Sequence, residues 1–202
     1  MKRIITAILL AQLWGCNDLT EIASSTDYES SLNYYRSGDH DQALISASMA
    51  IKKSKDPKTL GDAKYLRGYI YHLRDSAERA YSEFLDAQFY YVQIENIKGL
   101  SKVTNELGQI FYEYDSYDIS KRYFSTALAH AKEYGDDKLI ANALYGLGKS
   151  EKGLDNLRLA LECMYEALKL ETELKRLSYF VNVKLEMASI YHLGTSYNLA
   201  LE

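Results

Sequence analysis

From residue 26 onward, apolar residues recur at three- and four-residue steps, in blocks separated by short polar segments. That spacing gives a helix one apolar stripe. The blocks predict helices at about 26–37 and 41–54, 58–73 and 76–96, 99–113 and 117–134, 137–151 and 155–176, then 178–193 and a stub from 196. The only proline, Pro57, lies between the second and third blocks, where a helix should stop. A single proline in 202 residues itself points to a helical chain.

The blocks repeat in pairs. Gly68, Leu107-Gly108, Leu147-Gly148 and Ala188 place a small residue at a fixed interval of 40 residues, and a second small residue follows each by twelve: Ala80, Ser120, Ala160 and Ala200. Further along, Phe84 and Ala87, Phe124 and Ala127, and Met164 and Ala167 complete an i, i+4, i+7 stripe on each second helix. Three residues after the first small anchor stand Tyr71, Phe111 and Tyr191, with Glu151 as the exception. Tyr34, Gly38, Ala43 and Ala50 form a weaker copy upstream. Small residues on both helices of a pair allow close antiparallel approach, and the larger ones fill the space between pairs.

This pattern resembles the tetratricopeptide repeat over about residues 26–201. The resemblance implies an all-α fold, a TPR-like superhelical solenoid of antiparallel helix pairs, with about four repeats and an incomplete fifth. A period of 40 exceeds the 34 of the family and implies longer second helices, such as 76–96 and 156–176. If the fifth pair stops near Glu202, the apolar face of its first helix (Val181, Leu185, Met187, Tyr191) lacks a cover. Docking of a partner, self-association through this incomplete repeat, or further chain would each supply one.

The first residues have another character. Met1-Lys2-Arg3 followed by the apolar run Ile4 to Leu13 has the form of a signal peptide, too short for the ~20 residues of a membrane-spanning helix. It ends Leu13-Trp14-Gly15-Cys16, which resembles the bacterial lipobox, although Trp14 departs from the small or aliphatic residue usual there. Residues 1–15 are thus read as a lipoprotein signal peptide, Cys16 as the lipidated residue, 16–25 as a tether and 26–202 as the repeat domain. The resemblance implies a chain anchored in the bacterial cell envelope, with Asn17 after the cysteine favouring the outer membrane; secretion to the periplasm is the alternative.

Composition narrows the function classes. Of the side chains, 24 are Lys or Arg and 28 Asp or Glu, a net charge of −4, so there is no basic footprint for nucleic acid. Two cysteines make neither a disulfide framework nor a four-ligand zinc site, and His40, His72, His130 and His192 lie far apart. Gly148-Lys149-Ser150 matches the end of a phosphate-binding loop, but the first glycine of that motif is replaced by Ala143 and the segment reads as helix. Cys163 beside Met164 fits a packed helix face. No nucleophile, base or metal set can be assembled, so the chain is read as non-catalytic and without a cofactor.

What remains is binding. In the resembled family, ligands contact the first helix of each repeat at positions 2, 5, 9 and 12, counting the small anchor as 8. That correspondence implies a peptide-binding groove on a concave face, formed by Tyr65, Tyr69 and His72 with Asp62, by Lys102, Asn105, Gln109 and Tyr112, and by Asn142, Tyr145 and Lys149 with Lys152, followed by Asn182 and His192. These amide, aromatic and basic side chains suit hydrogen bonding to an extended backbone and neutralisation of a carboxylate. The favoured function is a non-catalytic envelope lipoprotein that binds a protein or peptide. The alternatives are a sensor or regulatory fragment of a longer signalling protein, or a glycan-binding lipoprotein, against which stands the lack of any Trp after Trp14.

Overall fold

A computed structural model of the chain describes residues 25–201, with side chains as far as Thr195. The expected signal peptide, Cys16 and nearly all of the tether lie outside the described residues. The described chain is helical, with helices α1 (25–36), α2 (His40–Lys53), α3 (Pro57–Leu73), α4 (Ala77–Gln93), α5 (Ile97–Glu113), α6 (Tyr117–Tyr134), α7 (Asp137–Gly153), α8 (Leu157–Glu173) and α9 (Leu177–Leu201). They divide into two compact units, residues 25–95 and 96–201.

From α3 onward a helix begins every 20 residues, at 57, 77, 97, 117, 137, 157 and 177. The 40-residue period therefore comes from two helices of nearly equal length and not, as the sequence suggested, from a longer second helix: α4 and α8 have 17 residues each, as do α3, α5 and α7. What ends them is a left-handed residue in each turn, in the same register: Asp75, Glu95, Asp115, Gly135, Asp155 and Lys175 all have φ between 51° and 77°. In the turns after α3, α5, α6, α7 and α8, the following amide donates to the carbonyl five residues earlier, as in Ser76 N to Tyr71 O at 3.0 Å and Asn156 N to Glu151 O at 2.9 Å, the bond of a Schellman cap.

The next residue is an N-cap type in every turn but the last. Asp56, Asn96 and Asp136 cap α3, α5 and α7 through their side chains, whereas Ser76, Ser116 and Asn156 make no such bond to α4, α6 and α8.

The fifth pair does not form. α9 runs unbroken to Leu201, where a stub from 196 was expected. The register puts Thr195 at the left-handed position, and a β-branched residue is poorly tolerated there. Its Oγ1 instead donates to the carbonyls of Tyr191 and His192 at 3.2 and 2.9 Å, which keeps the backbone helical. Met187, expected on the uncovered face, is buried with Val183 and Ile190 against α8, while Val181, Leu185 and Tyr191 are about half exposed or more. An open groove of about 900 Å³ between the start of α8 and the end of α9 is lined by Leu157, Leu161, Ile190, Tyr191 and Gly194.

The stripe on the second helices packs as its spacing demands. Ala80, Phe84, Ala87 and Tyr91 on α4 are buried, as are Ser120, Phe124, Ala127 and Ala131 on α6, and Ala160, Met164, Ala167 and Glu171 on α8. In the first unit α4 meets α3 where a Cβ at Gly68 would fall 2.8 Å from the Phe84 ring, and Ala43 of α2 with Leu66 and Ile70 of α3 joins Tyr28, Leu32 and Tyr35 of α1. In the second unit Phe124 lies between α5 and α7: a Cβ at Gly108 would fall 3.1 Å from its ring and one at Gly146 only 2.2 Å. Ser120 Oγ, at a small-anchor position, donates to Gly108 O at 2.9 Å and so joins the paired helices directly.

Candidate functional site

Gly148-Lys149-Ser150 lies in the interior of α7. Gly148 faces Met164, and Ser150 Oγ meets Ser120 Oγ at 2.9 Å, so both flanking residues are used in packing. No group of His, Cys, Asp and Glu among the described residues could hold a metal ion. Among them, too, no helix is long and apolar enough to cross a membrane. Cys163 is half-buried, and burial, with the carboxylates of Glu151, Glu166 and Glu162, pushes its thiol up to about 11.

The residues assigned to a groove on α3, α5 and α7 are all half-buried, whereas Asn182 and His192 on α9 are exposed. In the first unit they are aromatic. Tyr69 of α3 meets Tyr35 of α1 edge to face at 5.9 Å and Tyr65 at 6.4 Å, while Tyr65 reaches Phe84 at 5.8 Å and so belongs partly to the core. Tyr35 stacks on His40 at 5.7 Å. His72 lies one turn beyond Tyr69 on α3. Asp62 is held from both sides, accepting from Lys58 Nζ and from Tyr91 OH, each at 2.9 Å. Burial, and then the Asp62 carboxylate, push the Tyr91 phenol far above its usual value, so it remains a donor.

In the second unit the same register gathers a polar cluster. Lys149 Nζ lies 4.0 Å from the centre of the Tyr112 ring and 5.5 Å from that of Tyr145, a cation–π contact between α5 and α7. It also donates to Gln109 Oε1 at 3.4 Å, and Gln109 Nε2 donates to Glu113 Oε1 at 2.7 Å. Burial lowers the Lys149 ammonium below its ordinary value, against the raising effect of Glu186 and Glu113. Burial likewise raises the Tyr145 phenol to about 12, together with Glu186 and Tyr112. Lys152 is bound to Glu186 at 2.6 Å. Asn105, one turn before Gln109, has a buried Oδ1 with no hydrogen-bond partner. Lys102 lies one turn before that, half-buried.

Asn142 is drawn elsewhere. Its Oδ1 accepts from Arg176 at 3.1 Å, and Arg176 clamps Glu171, which is 2% exposed, through Nε to Oε2 at 2.8 Å and through a second close bond to Oε1. Sequence reasoning missed this clamp because Arg176 stands in the turn, outside the repeat signature. The signal was the fourth position of the second-helix stripe, where Tyr91 and Ala131 give way to Glu171. Glu151 is a parallel case: the exception to the aromatic pattern is buried and held by Lys121 at 2.8 Å and Asn156 at 2.8 Å.

No family model matches the chain, and no curated protein matches it in sequence. Solved structures do. BtubC (BKLC) from P. vanneervenii matches with a TM-score of 0.67 at 19% identity, over 75% of this chain and 64% of that one. The apo form of RapI matches with a TM-score of 0.71 at 15% identity, over 89% of this chain and 51% of RapI. The nearly identical TPR-like repeats of a kinesin light chain from Podosopora anserina match with a TM-score of 0.64 at 9% identity, over 88% of this chain and 89% of that one. The chain thus spans about two thirds of BtubC and half of RapI. At these identities the likeness shows the fold, which is all-α and built of tetratricopeptide-like antiparallel helix pairs.

Proposed function

We propose that this chain is a non-catalytic scaffold that binds a protein or peptide segment on the first helices of its repeats. The observation that carries the reading is the cluster on α5 and α7, where Gln109, Tyr112, Tyr145 and Lys149 converge and Asn105 keeps a buried, unpartnered acceptor. A merely solvated helix face would turn such groups to water. Here they are half-buried, with hydrogen-bonding capacity that an extended backbone and its side chains can use. Repeat folds of this kind lend themselves to that use because successive helix pairs present the same positions at a constant interval.

We further propose that the scaffold is held in the bacterial envelope, on the outer membrane, by lipid on Cys16. The support is the Leu13-Trp14-Gly15-Cys16 segment after a signal-like run. Two experiments test the two parts. Mass spectrometry of the mature chain should find a diacylated or triacylated N-terminal Cys16, and Cys16→Ser should release the chain from membranes; an unmodified residue 16 in a processed chain would refute the anchor. For binding, in-cell crosslinking should recover a partner on the parent chain. The combined variant Gln109→Ala, Tyr112→Ala and Asn105→Ala should lose it while keeping its helicity, and retention of the partner would refute the groove.

A further inference from the structure

Two side chains on the α5–α7 face of the second unit are withheld from water with bonding capacity unused. Asn105 Oδ1 is buried and accepts nothing. Lys149 Nζ carries three donors, yet among the described residues its one acceptor is Gln109 Oε1 at 3.4 Å, near the outer limit of a hydrogen bond. The nearby carboxylates are committed, Glu186 to Lys152 at 2.6 Å and Glu113 to Gln109 at 2.7 Å. The rings of Tyr112 and Tyr145 hold the cation by their faces but leave its N–H groups without a carboxylate. The lowered pKa of Lys149, caused first by burial, agrees that its charge is poorly solvated.

The register sets these groups in a row. Asn105 and Tyr145 occupy one repeat position, Gln109 and Lys149 the position one turn later, and residues four apart share a helix face. Resting on the peptide-binding reading above, we propose that this face takes an acidic peptide in extended form: a ligand carboxylate accepts from Lys149 Nζ between the two tyrosine rings, and Asn105, its amide turned outward from its buried position, accepts at Oδ1 from a ligand backbone N–H. A charge-assisted bond to a desolvated ammonium is the strong kind, and it replaces a long neutral one.

Matched 12-residue peptides, C-terminally amidated and differing only in Glu or Gln, test this by fluorescence anisotropy on the full chain. Glu peptides should bind at least about tenfold more tightly than their Gln counterparts, a difference of about 1.4 kcal/mol, and more weakly as salt rises. Lys149→Met should abolish the Glu-over-Gln preference, Lys149→Arg should keep it, and Asn105→Leu should weaken both sets alike, with circular dichroism unchanged. If instead a free C-terminus tightens Glu and Gln peptides alike, and Lys149→Met removes that gain, the carboxylate bound is a chain end, which also supports the assignment. Peptides bound with no Glu-over-Gln preference, or basic peptides preferred, would overturn it and leave the scaffold reading standing. No binding of any peptide by the parent chain would overturn both.

Discussion

Tyr91 and Glu171 stand at the same place in two helix pairs, the fourth position of the buried stripe on α4 and on α8, and the residues across from them, Asp62 and Asn142, also correspond. In the first unit the link is a neutral phenol donating to a carboxylate that Lys58 also holds. In the second it is a buried carboxylate gripped by Arg176, with Asn142 as the guanidinium's second acceptor. The repeat register fixes where the polar contact falls, but not its chemistry. The two solutions differ in what removing one member leaves behind, since a lone buried carboxylate costs far more than a carboxylate that keeps another donor.

Arg176→Ala should therefore have the largest effect, about 3–5 kcal/mol, because Glu171 is left charged and buried. Tyr91→Phe, its counterpart, should cost only about 1 kcal/mol, since Asp62 keeps Lys58. Urea denaturation of both measures the contrast, and equal losses would erase it. Next, Gly146→Ala should cost about 1–3 kcal/mol by driving a methyl group into the Phe124 ring. Shrinking that ring in a Gly146→Ala, Phe124→Leu double variant should return part of the loss, readable as a coupling energy in a double-mutant cycle.

The helix ends offer a finer contrast. Asp136→Ala removes a side-chain cap that accepts from the amides of Lys138 and Leu139 and should lower stability by about 1 kcal/mol, whereas Ser116→Ala, which loses no cap bond, should be nearly silent in the same thermal melts. The smallest change should be a gain. Lys175→Gly relieves a left-handed residue with φ of 55° and should stabilise by about 0.5 kcal/mol after the entropy of the unfolded glycine is counted.

The fold was legible in the sequence because its determinants are local and repeated. Gly68, Gly108 and Gly148 mark the close approaches, Phe84, Phe124 and Met164 fill them, and the N-cap residues Asp56, Asn96 and Asp136 stand one after another at 40-residue steps. Helix ends were harder to read. The left-handed residues are Asp, Glu and Lys in five of the six turns from α3 onward, and none of these advertises a turn as glycine does, so the pattern carries 76–96 and 155–176 three residues past the observed helix ends. At the candidate site, Lys149, Gln109, Tyr112 and Tyr145 are named through the ligand positions of the resembled family, and the structure brings these four together on α5 and α7. The withdrawal of Asn142 was not legible, because it depends on Arg176, a residue 34 positions away that reaches back from a turn. Long side chains cross the register, and a periodic pattern says nothing about where their ends go.

The most direct test is a titration of the 15N-labelled full chain with the Glu-containing and Gln-containing peptides, followed by amide chemical shifts. The account predicts shifts concentrated on α5 and α7 around Asn105, Gln109, Tyr145 and Lys149, saturating at lower concentration for the Glu peptide. Shifts concentrated instead on α9 between Val181 and Tyr191, or none at saturating peptide, would contradict it.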